Sequence, residues 1–469
     1  MRAAPDRAGR RHEAAPVKTF YIESYGCQMN EYDAAFIAGI LKRSEYRSVE
    51  TPEEADLILL NTCAVREHAE ERVFGRIGEL RRVKERRPGA VLCVAGCMAQ
   101  RLGERIQEDA PHVDLVIGTD AYARLPRLLE ELEAEGDPLV DIEISAALVY
   151  GGVAEMTEWG RAFVSIMQGC NSFCTFCIVP IVRGRERSKS PDEVVAEIGA
   201  LREMGCREVT LLGQKVNAYR WEGVDFADLL RRIDREAPVP RVRFTSSHPR
   251  HFTTRLLDAM AECDSVCEHL HLPVQSGSLP VLRRMRRLYT PSWYLEAVAR
   301  ARARIPGLGL TTDIIVGFPG ETDADFEATL ALMEAAEFDA SFLFKYSPRP
   351  GTRAVDHGDT VPEEVKSERL ERALSLQKQL SEARSRAIVG RRLSALVEGV
   401  SERGSGGWLG RLRNNKAVSL VAARPIEPGE FVTAEITATR GAGLLAAVLD
   451  EPPRERAPIS SNRYAEVAR

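Results

Sequence analysis

At 469 residues, with 44% apolar and 28% charged side chains, the chain has the balance of a folded globular protein and is too long for one core. About one domain per 150 residues suggests three. Its apolar runs, such as Leu57 to Leu60, fall far short of the roughly 20 residues that span a bilayer, and a net charge of −5 excludes bulk attraction to nucleic acid, so any RNA affinity has to be local.

Residues 1–17 carry Arg2, Arg7, Arg10 and Arg11 but no apolar stretch, which reads as a flexible arm and not as a secretion signal; a cytoplasmic location is expected. Ten cysteines in that reducing compartment point away from disulfides and towards metal ligation or redox chemistry.

From Thr19 onward the sequence repeats a short apolar strand, a polar turn and a helical stretch. TFYIESYGCQMN, ADLILLNTCAVRE and GAVLCVAGCMAQR follow this pattern, the alternation of a parallel α/β sheet over residues 18–135. Thr51, followed by Pro52 and Glu54, looks like a helix start. Residues 136–155, within a Gly-rich and acidic stretch, read as a linker.

Alternation resumes over residues 156–386. The strands expected are AFVSIMQ, EVTLLG, VRFTSS, CEHLHLPV, LTTDIIVGF and SFLFKYSP, with helices such as Pro191 to Met204 and Asp323 to Ala336 between them. Six βα units suggest an incomplete barrel with its site at the carboxyl ends of the strands. Glu363 to Arg386 reads as one long helix joining domains, charged on one side and carrying Leu370, Leu374 and Leu380 on the other. Residues 387–450 turn to short β runs, LSALVEGV, AVSLVAA, FVTAEITA and LLAAVLD, which suggest a small β-barrel. Residues 451–469 read as a loose tail. The fold class expected is therefore α/β: a parallel α/β sheet domain, a partial (βα)6 barrel and a small C-terminal β-barrel.

Cys170, Cys174 and Cys177 lie in MQGCNSFCTFC, the turn after the first barrel strand. Three soft thiolates at this spacing suit a cubane iron-sulfur cluster, leaving one of its four irons without a protein ligand. The alternative is a structural zinc site, but such sites are closed by four ligands and no second Cys pair lies nearby. Cys27, Cys63 and Cys97 each lie just past the carboxyl end of an expected parallel strand, which would bring all three to one sheet edge. Their alternative is three unrelated buried residues. Cys93, Cys206, Cys263 and Cys267 match no ligand spacing and read as packing or surface positions.

The C-x3-C-x2-C pattern, with the aromatic Phe176 before its last Cys, resembles the radical S-adenosylmethionine (SAM) enzymes. The resemblance implies that SAM chelates the open iron of a 4Fe-4S cluster and is cleaved by one electron to a 5'-deoxyadenosyl radical. SYGCQMN, NTCAVREHAEERV and GCMAQR are similar to the three cysteine segments of the methylthiotransferase family within that group, which implies an auxiliary 4Fe-4S cluster on Cys27, Cys63 and Cys97. FCTFCIVPIVRGRERS, RFTSSHPRHF, HLHLPVQSGSLPVLRRMRRLYT and TTDIIVGFPGET resemble the branch acting on N6-isopentenyladenosine beside the tRNA anticodon. Sister branches act on threonylcarbamoyladenosine and on a ribosomal-protein aspartate. The resemblance covers about residues 18 to 450. Lys215 in LLGQKVNAY departs from it, since Asn is expected there.

What the resemblance implies is methylthiolation of C2 of the adenine by radical chemistry, with two 4Fe-4S clusters and SAM as cofactors. The partners implied are a tRNA anticodon stem-loop, a reducing electron donor and a sulfur donor of unspecified kind; a monomer and no membrane are expected. Gln214, Gln275 and Asp313 stand at expected strand ends where SAM could be held, or are turn and capping groups. Arg183, Arg185, Arg187 and Lys189 follow the cluster cysteines and could hold RNA phosphates, or pair structurally with Glu186.

The C-terminal barrel resembles a TRAM domain, an RNA-binding module. Ala387 to Leu449 carries eight Lys and Arg against five Asp and Glu, and Arg411, Arg413 and Lys416, beside Asn414 and Asn415, are its phosphate candidates or ordinary loop residues. A non-catalytic iron-sulfur RNA binder that senses redox state is the rival of another class. A conventional SAM methyltransferase would need a G-x-G-x-x-G loop after an early strand, which the sequence lacks.

Overall fold

The computed structural model describes residues 17–64, 67–145, 156–157, 159–401 and 407–453. The arm at 1–16, the end of the linker at 146–155 and the tail from 454 lie outside the described residues.

The first unit is a parallel sheet built from β1 (Thr19–Ser24), β2 (Arg47–Ser48), β3 (Leu57–Thr62), β4 (Val91–Gly96), β5 (Leu115–Ile117) and β6 (Leu139–Asp141). Its strand order is β2-β1-β3-β4-β5-β6. β3 is buried along its whole length, as expected of a central strand covered by helices on both faces. Helices α1 (Gln28–Arg43) and α2 (Glu67–Arg86) are two of those covering elements, and the short α3 (Cys97–Leu102) follows β4 directly. β6 falls inside the stretch expected to be a linker: three residues are too few for a periodic signal, but they complete the sheet edge beside β5. The helix start expected at Thr51 is a single 3-10 turn, Pro52–Glu54, without a side-chain cap.

The second unit has six parallel strands in sequential order: β7 (Arg161–Ser165), β8 (Glu208–Leu212), β9 (Arg241–Phe244), β10 (His269–His271), β11 (Gly309–Val316) and β12 (Ala340–Lys345). They form two ladders of three, linked where Val242 bridges Val266. Helices α4 (Pro191–Glu203), α5 (Phe226–Glu236), α6 (Thr254–Glu262), α7 (Pro291–Arg304) and α8 (Asp323–Ala336) cover the outside. Local chemistry sets their starts, with capping boxes at Ser190/Glu193, Asp225/Asp228 and Thr322/Asp325. Leu211, Val242, Leu270 and Leu310 point outward into the shared core beneath these helices. Of the alternate residues, Phe163 and Leu212 pack against the first unit, and Arg241 and Arg243 reach the third.

The long helix α9 (Glu363–Arg386) has the bounds expected, and Leu370 and Leu380 pack partly buried against the half-barrel core, but its most deeply buried positions are not the leucines. Lys366, Arg369, Gln377 and Ser381 are buried, and Leu374 is 50% exposed. Arg369 pairs with Glu321 and Asp323, while Gln377 and Ser381 reach the backbone oxygens of Phe338 and Asp339. The helix therefore seals polar strand and loop ends, for which hydrogen-bonding side chains are required.

The third unit is a closed barrel of β13 (Arg392–Val400), β14 (Trp408–Leu412), β15 (Ala417–Val421), β16 (Phe431–Arg440) and β17 (Gly443–Leu449), ordered β13-β14-β15-β17-β16. β14 is a fifth strand beyond the four expected. It docks under the amino ends of the half-barrel strands: Arg241 donates to the Arg411 carbonyl and Arg243 to those of Leu412 and Arg413. No helix among the described residues is long and apolar enough to cross a membrane.

Candidate functional site: two cysteine triads facing one interior

Cys27, Cys63 and Cys97 terminate three adjacent parallel strands, β1, β3 and β4, so the sheet brings them to one edge. Two glycines make this possible. Gly26 has φ +133°, and a Cβ there would lie 2.7 Å from the Cys63 Cβ; Gly96 has φ +98°, and its Cβ would lie 2.5 Å from the Thr62 carbonyl. Only glycine lets the chain turn at these points with the neighbouring strand so close.

Asn30 and Asn61 brace the edge from below: Asn30 donates to the Thr62 carbonyl at 2.9 Å and Asn61 to the Asn30 carbonyl at 2.7 Å. Both sit in the GCQMN and NTCAVRE segments, yet an Asn beside a Cys carries no spacing signal that marks it as a brace. Burial pushes the Cys97 thiol up to about 12, and the Arg183 guanidinium acts against that rise. A buried thiol set so high remains protonated until a cation takes the proton's place.

Cys170, Cys174 and Cys177 occupy the loop after β7. Its first residues are held from below, where Gln214 accepts the Gly169 N–H, and the far end is tied by the Thr175 N–H to the Met285 carbonyl at 3.2 Å. Gln214 thus shapes the cluster loop. Arg287, which sequence reasoning missed, is fully enclosed; it donates to Cys174 Sγ at 3.5 Å, to the Pro273 carbonyl at 2.8 Å and to Tyr289 Oη at 2.9 Å. No carboxylate pairs with it among the described residues. Burial pushes the Cys177 thiol up to about 12, with Cys174 adding in the same direction, although the residue keeps part of its surface. Phe176 packs edge-on against Phe318.

Lys215, the departure from the resemblance, pairs with Glu186 at 2.5 Å and donates to Ser172 Oγ at 3.0 Å. Buried itself, it ties the cysteine loop to Glu186. Gln275 is buried in a left-handed backbone (φ 69°), and its Oε1 has no hydrogen-bond partner among the described residues. Asp313 lies half-exposed in the lumen, 3.4 Å from His271 Nε2. Cys93, Cys206, Cys263 and Cys267 are all buried in packed surroundings away from both triads.

The two triads share an interior. Cys97 and Ala64 pack against Ile178 and Val182, and Ile178 directly follows Cys177. Two buried ion pairs hold the first domain in this position: Arg183 to Asp33 at 2.6 Å, and Arg187 to Asp120. Thr119 Oγ1 also donates to the Val182 carbonyl at 2.9 Å.

The cations expected to meet RNA phosphates are thus divided. Arg183, Arg187 and Lys189 are turned inward, the last onto Glu197 at 2.6 Å. Arg411 is paired with Glu398, Arg413 with Glu268 and Lys416 with Asp339 at the seam between the C-terminal barrel and the half-barrel. Asn414 and Asn415 lie in the same seam, where the Asn414 carbonyl comes so close to Gly309 that a Cβ there would be 2.2 Å away. Arg185 alone of the seven marked cations stays exposed, stacked over Phe173 at 4.5 Å. Sequence position shows a basic run; it does not show which partner lies across the fold.

Among the described residues no three His, Cys, Asp or Glu side chains stand close enough to share one ion. A closed zinc site asks for that convergence, whereas the thiolates of a cubane each bind a different iron and stand farther apart. Two groups of three soft donors, a buried guanidinium aimed at one sulfur and an orphaned amide oxygen on the segment after β10 fit cluster ligation with a polar cofactor.

Three family models match: "Uncharacterized protein family UPF0004" over residues 19–118, the radical SAM superfamily over 164–333 and the TRAM domain over 386–449. A protein of Moorella thermoacetica named tRNA-2-methylthio-N(6)-dimethylallyladenosine synthase is 46% identical over 86% of this chain and 92% of its own length. Proteins of the same name from Thermoanaerobacter sp. and Bacteroides fragilis are each 43% identical, covering 90% and 91% of this chain and 90% and 95% of theirs. Among solved structures, the radical SAM methyltransferase TsrM of Kitasatospora setae superposes with a TM-score of 0.54 over 70% of this chain and 72% of that one, at 14% identity, a likeness of fold alone.

Proposed function

The chain belongs to the family of tRNA-2-methylthio-N6-dimethylallyladenosine synthases, and from that premise we propose that it attaches a methylthio group to C2 of N6-dimethylallyladenosine beside the anticodon of tRNA. In the division of labour that fits this reading, residues 18–135 hold an auxiliary cluster, 156–386 form the radical SAM core and 387–450 form an RNA-binding barrel. Residues 136–155 join the first two, and 1–17 and 451–469 flank the whole.

When bound, the two 4Fe-4S clusters and SAM supply the electron, the hydrogen-abstracting radical and the site of sulfur chemistry. The chain's own residues place and shelter them. Cys170, Cys174 and Cys177 are the ligands proposed for the cluster that meets SAM, and Cys27, Cys63 and Cys97 those for the auxiliary one. Ile178 and Val182 form a dry wall beside Cys97 that keeps water from the space between the triads. Gln275 offers an unused amide oxygen and Asp313 a carboxylate to SAM's polar groups, while Phe176 adds an apolar floor.

The observation that supports this reading most is the packing of Cys97, from one cysteine triad, against Ile178, the residue that directly follows Cys177 of the other. That distance-sparing arrangement matters because a short-lived radical has to arise within contact of its target, and the base has to leave its stack to reach it. Mass spectrometry of tRNA from cells with and without the gene tests it: loss of the 2-methylthio group with accumulation of N6-dimethylallyladenosine is expected, and unchanged 2-methylthio content refutes it. Absence of 5'-deoxyadenosine from protein given SAM and a reductant anaerobically would favour a redox sensor instead.

A further inference from the structure

With most of the expected phosphate contacts turned inward, the cations left facing solvent near the site acquire a different meaning. Three arginines, Arg185, Arg250 and Arg286, are exposed, and none has a carboxylate partner among the described residues. Other exposed arginines, such as Arg43 and Arg202, share that lack of an ion pair, and it is their place beside the cysteine loop that sets these three apart.

All three border the loop that carries Cys170, Cys174 and Cys177. Arg185 lies against its start, where its own carbonyl would meet a Cβ on Gly169 at 2.0 Å, and it stacks on Phe173 within the loop. Arg286 borders the far end: its neighbours Arg284 and Met285 accept hydrogen bonds from Thr175 Oγ1 and the Thr175 N–H at 2.9 and 3.2 Å. Arg250 approaches from a third side. His248, two residues before it, exchanges hydrogen bonds of 2.8 and 2.9 Å with Asn217, and Lys215, two residues before Asn217, in turn bonds Ser172 of the loop. Leu288, 64% exposed, adds an uncovered apolar side chain two residues from Arg286.

We infer that Arg185, Arg250 and Arg286 form a collar around the cysteine loop that grips the phosphates of a single-stranded RNA loop while one of its bases enters the half-barrel. This rests on the tRNA reading above. The physical case has two parts. In a chain of net charge −5, attraction to a polyanion has to come from cations that no internal carboxylate neutralises. A base delivered to the lumen also requires its flanking phosphates to lie over the lumen's rim, and the three arginines sit on segments that follow the carboxyl ends of β7, β9 and β10; Arg185 on Phe173 and the bare Leu288 offer flat and apolar surface for unstacked neighbouring bases.

The test is binding of a fluorescent anticodon stem-loop RNA containing N6-dimethylallyladenosine, followed by anisotropy from low to high KCl. The proteins compared are the cluster-loaded wild type, the triple variant Arg185→Gln/Arg250→Gln/Arg286→Gln and the charge-keeping variant Arg185→Lys/Arg250→Lys/Arg286→Lys. Each phosphate contact to single-stranded RNA contributes about −0.7 to the slope of log affinity against log salt, so the Gln variant should be shallower by about 2 and about a hundredfold weaker at 0.1 M salt. The Lys variant should keep most of the slope, and iron content and melting temperature report that each protein is folded. A Gln variant with the wild-type slope overturns the collar; wild-type protein that neither binds nor methylthiolates this RNA overturns the functional reading beneath it.

Discussion

Removing the Arg183 guanidinium tests how the first domain is held over the half-barrel. Arg183 and Asp33 side chains are 3% and 0% exposed and meet at 2.6 Å, and Asp33 also accepts a hydrogen bond from Tyr122 Oη at 3.3 Å. In Arg183→Met the carboxylate remains buried with its main counter-charge gone. Breaking a buried pair from one side costs about 3–5 kcal/mol, whereas replacing both members by apolar groups of similar volume is close to neutral. At about 2–4 °C per kcal/mol for units of this size, the single variant should melt roughly 6–20 °C lower, and Arg183→Met/Asp33→Leu should recover most of that loss. Differential scanning fluorimetry of cluster-loaded protein under anaerobic conditions gives the four corners of the cycle. Equal melting temperatures for Arg183→Met and wild type would refute the reasoning; so would a double variant as unstable as the sum of its two singles.

Gly26→Ala forces a Cβ to within 2.7 Å of the Cys63 Cβ at φ +133°, so anaerobic reconstitution of this variant should lose about four of eight irons while SAM cleavage persists; full iron content would show that the edge can yield. Arg287→Met deprives Cys174 of its only buried cationic neighbour among the described residues, and redox-titrated EPR should find that cluster harder to reduce, with Arg287→Lys intermediate and the auxiliary cluster unmoved. Burial, followed by the charges of Arg287 and Lys215, depresses His248 to about 2, and burial followed by Lys215 depresses His251 to about 4, from 6.5. Below pH 6.5 the unfolded chain therefore binds protons that the folded chain refuses, so stability should fall as pH drops from 6.5 towards 4. The slope of melting temperature against pH in that window should flatten in His248→Gln/His251→Gln, and an unchanged slope would contradict it.

The sequence announced most of what periodicity can announce. Strand after strand of the half-barrel lies where alternating apolar runs placed it, because a parallel strand buried on both faces needs an unbroken apolar core segment. The convergence of Cys27, Cys63 and Cys97 followed from one topological rule, that parallel strands end on the same side. Three-residue β5 and β6, and β14 with its Gly410, carry too few positions for a pattern and were filled in by their neighbours in the sheets.

Charge was harder to read. Arg183 and Arg187 look the same as Arg185 in RGRER, yet two of the three point at Asp33 and Asp120, which stand 150 and 67 residues away in the chain. Residues two apart would share one side of an extended strand, but Gly184 turns the chain at φ +70°, and only the fold shows which side holds an acid. The same is true of α9, whose leucines mark one face while its buried Arg369, Gln377 and Ser381 answer to partners on other elements.

The most direct test of the whole account is the iron and acid-labile sulfide content of protein purified and reconstituted without oxygen, measured for the wild type and for Cys27→Ala/Cys63→Ala/Cys97→Ala. About eight irons falling to about four, with 5'-deoxyadenosine formation retained and methylthio transfer lost, is the predicted result. About four irons in the wild type, or zinc in place of iron at either triad, would contradict it.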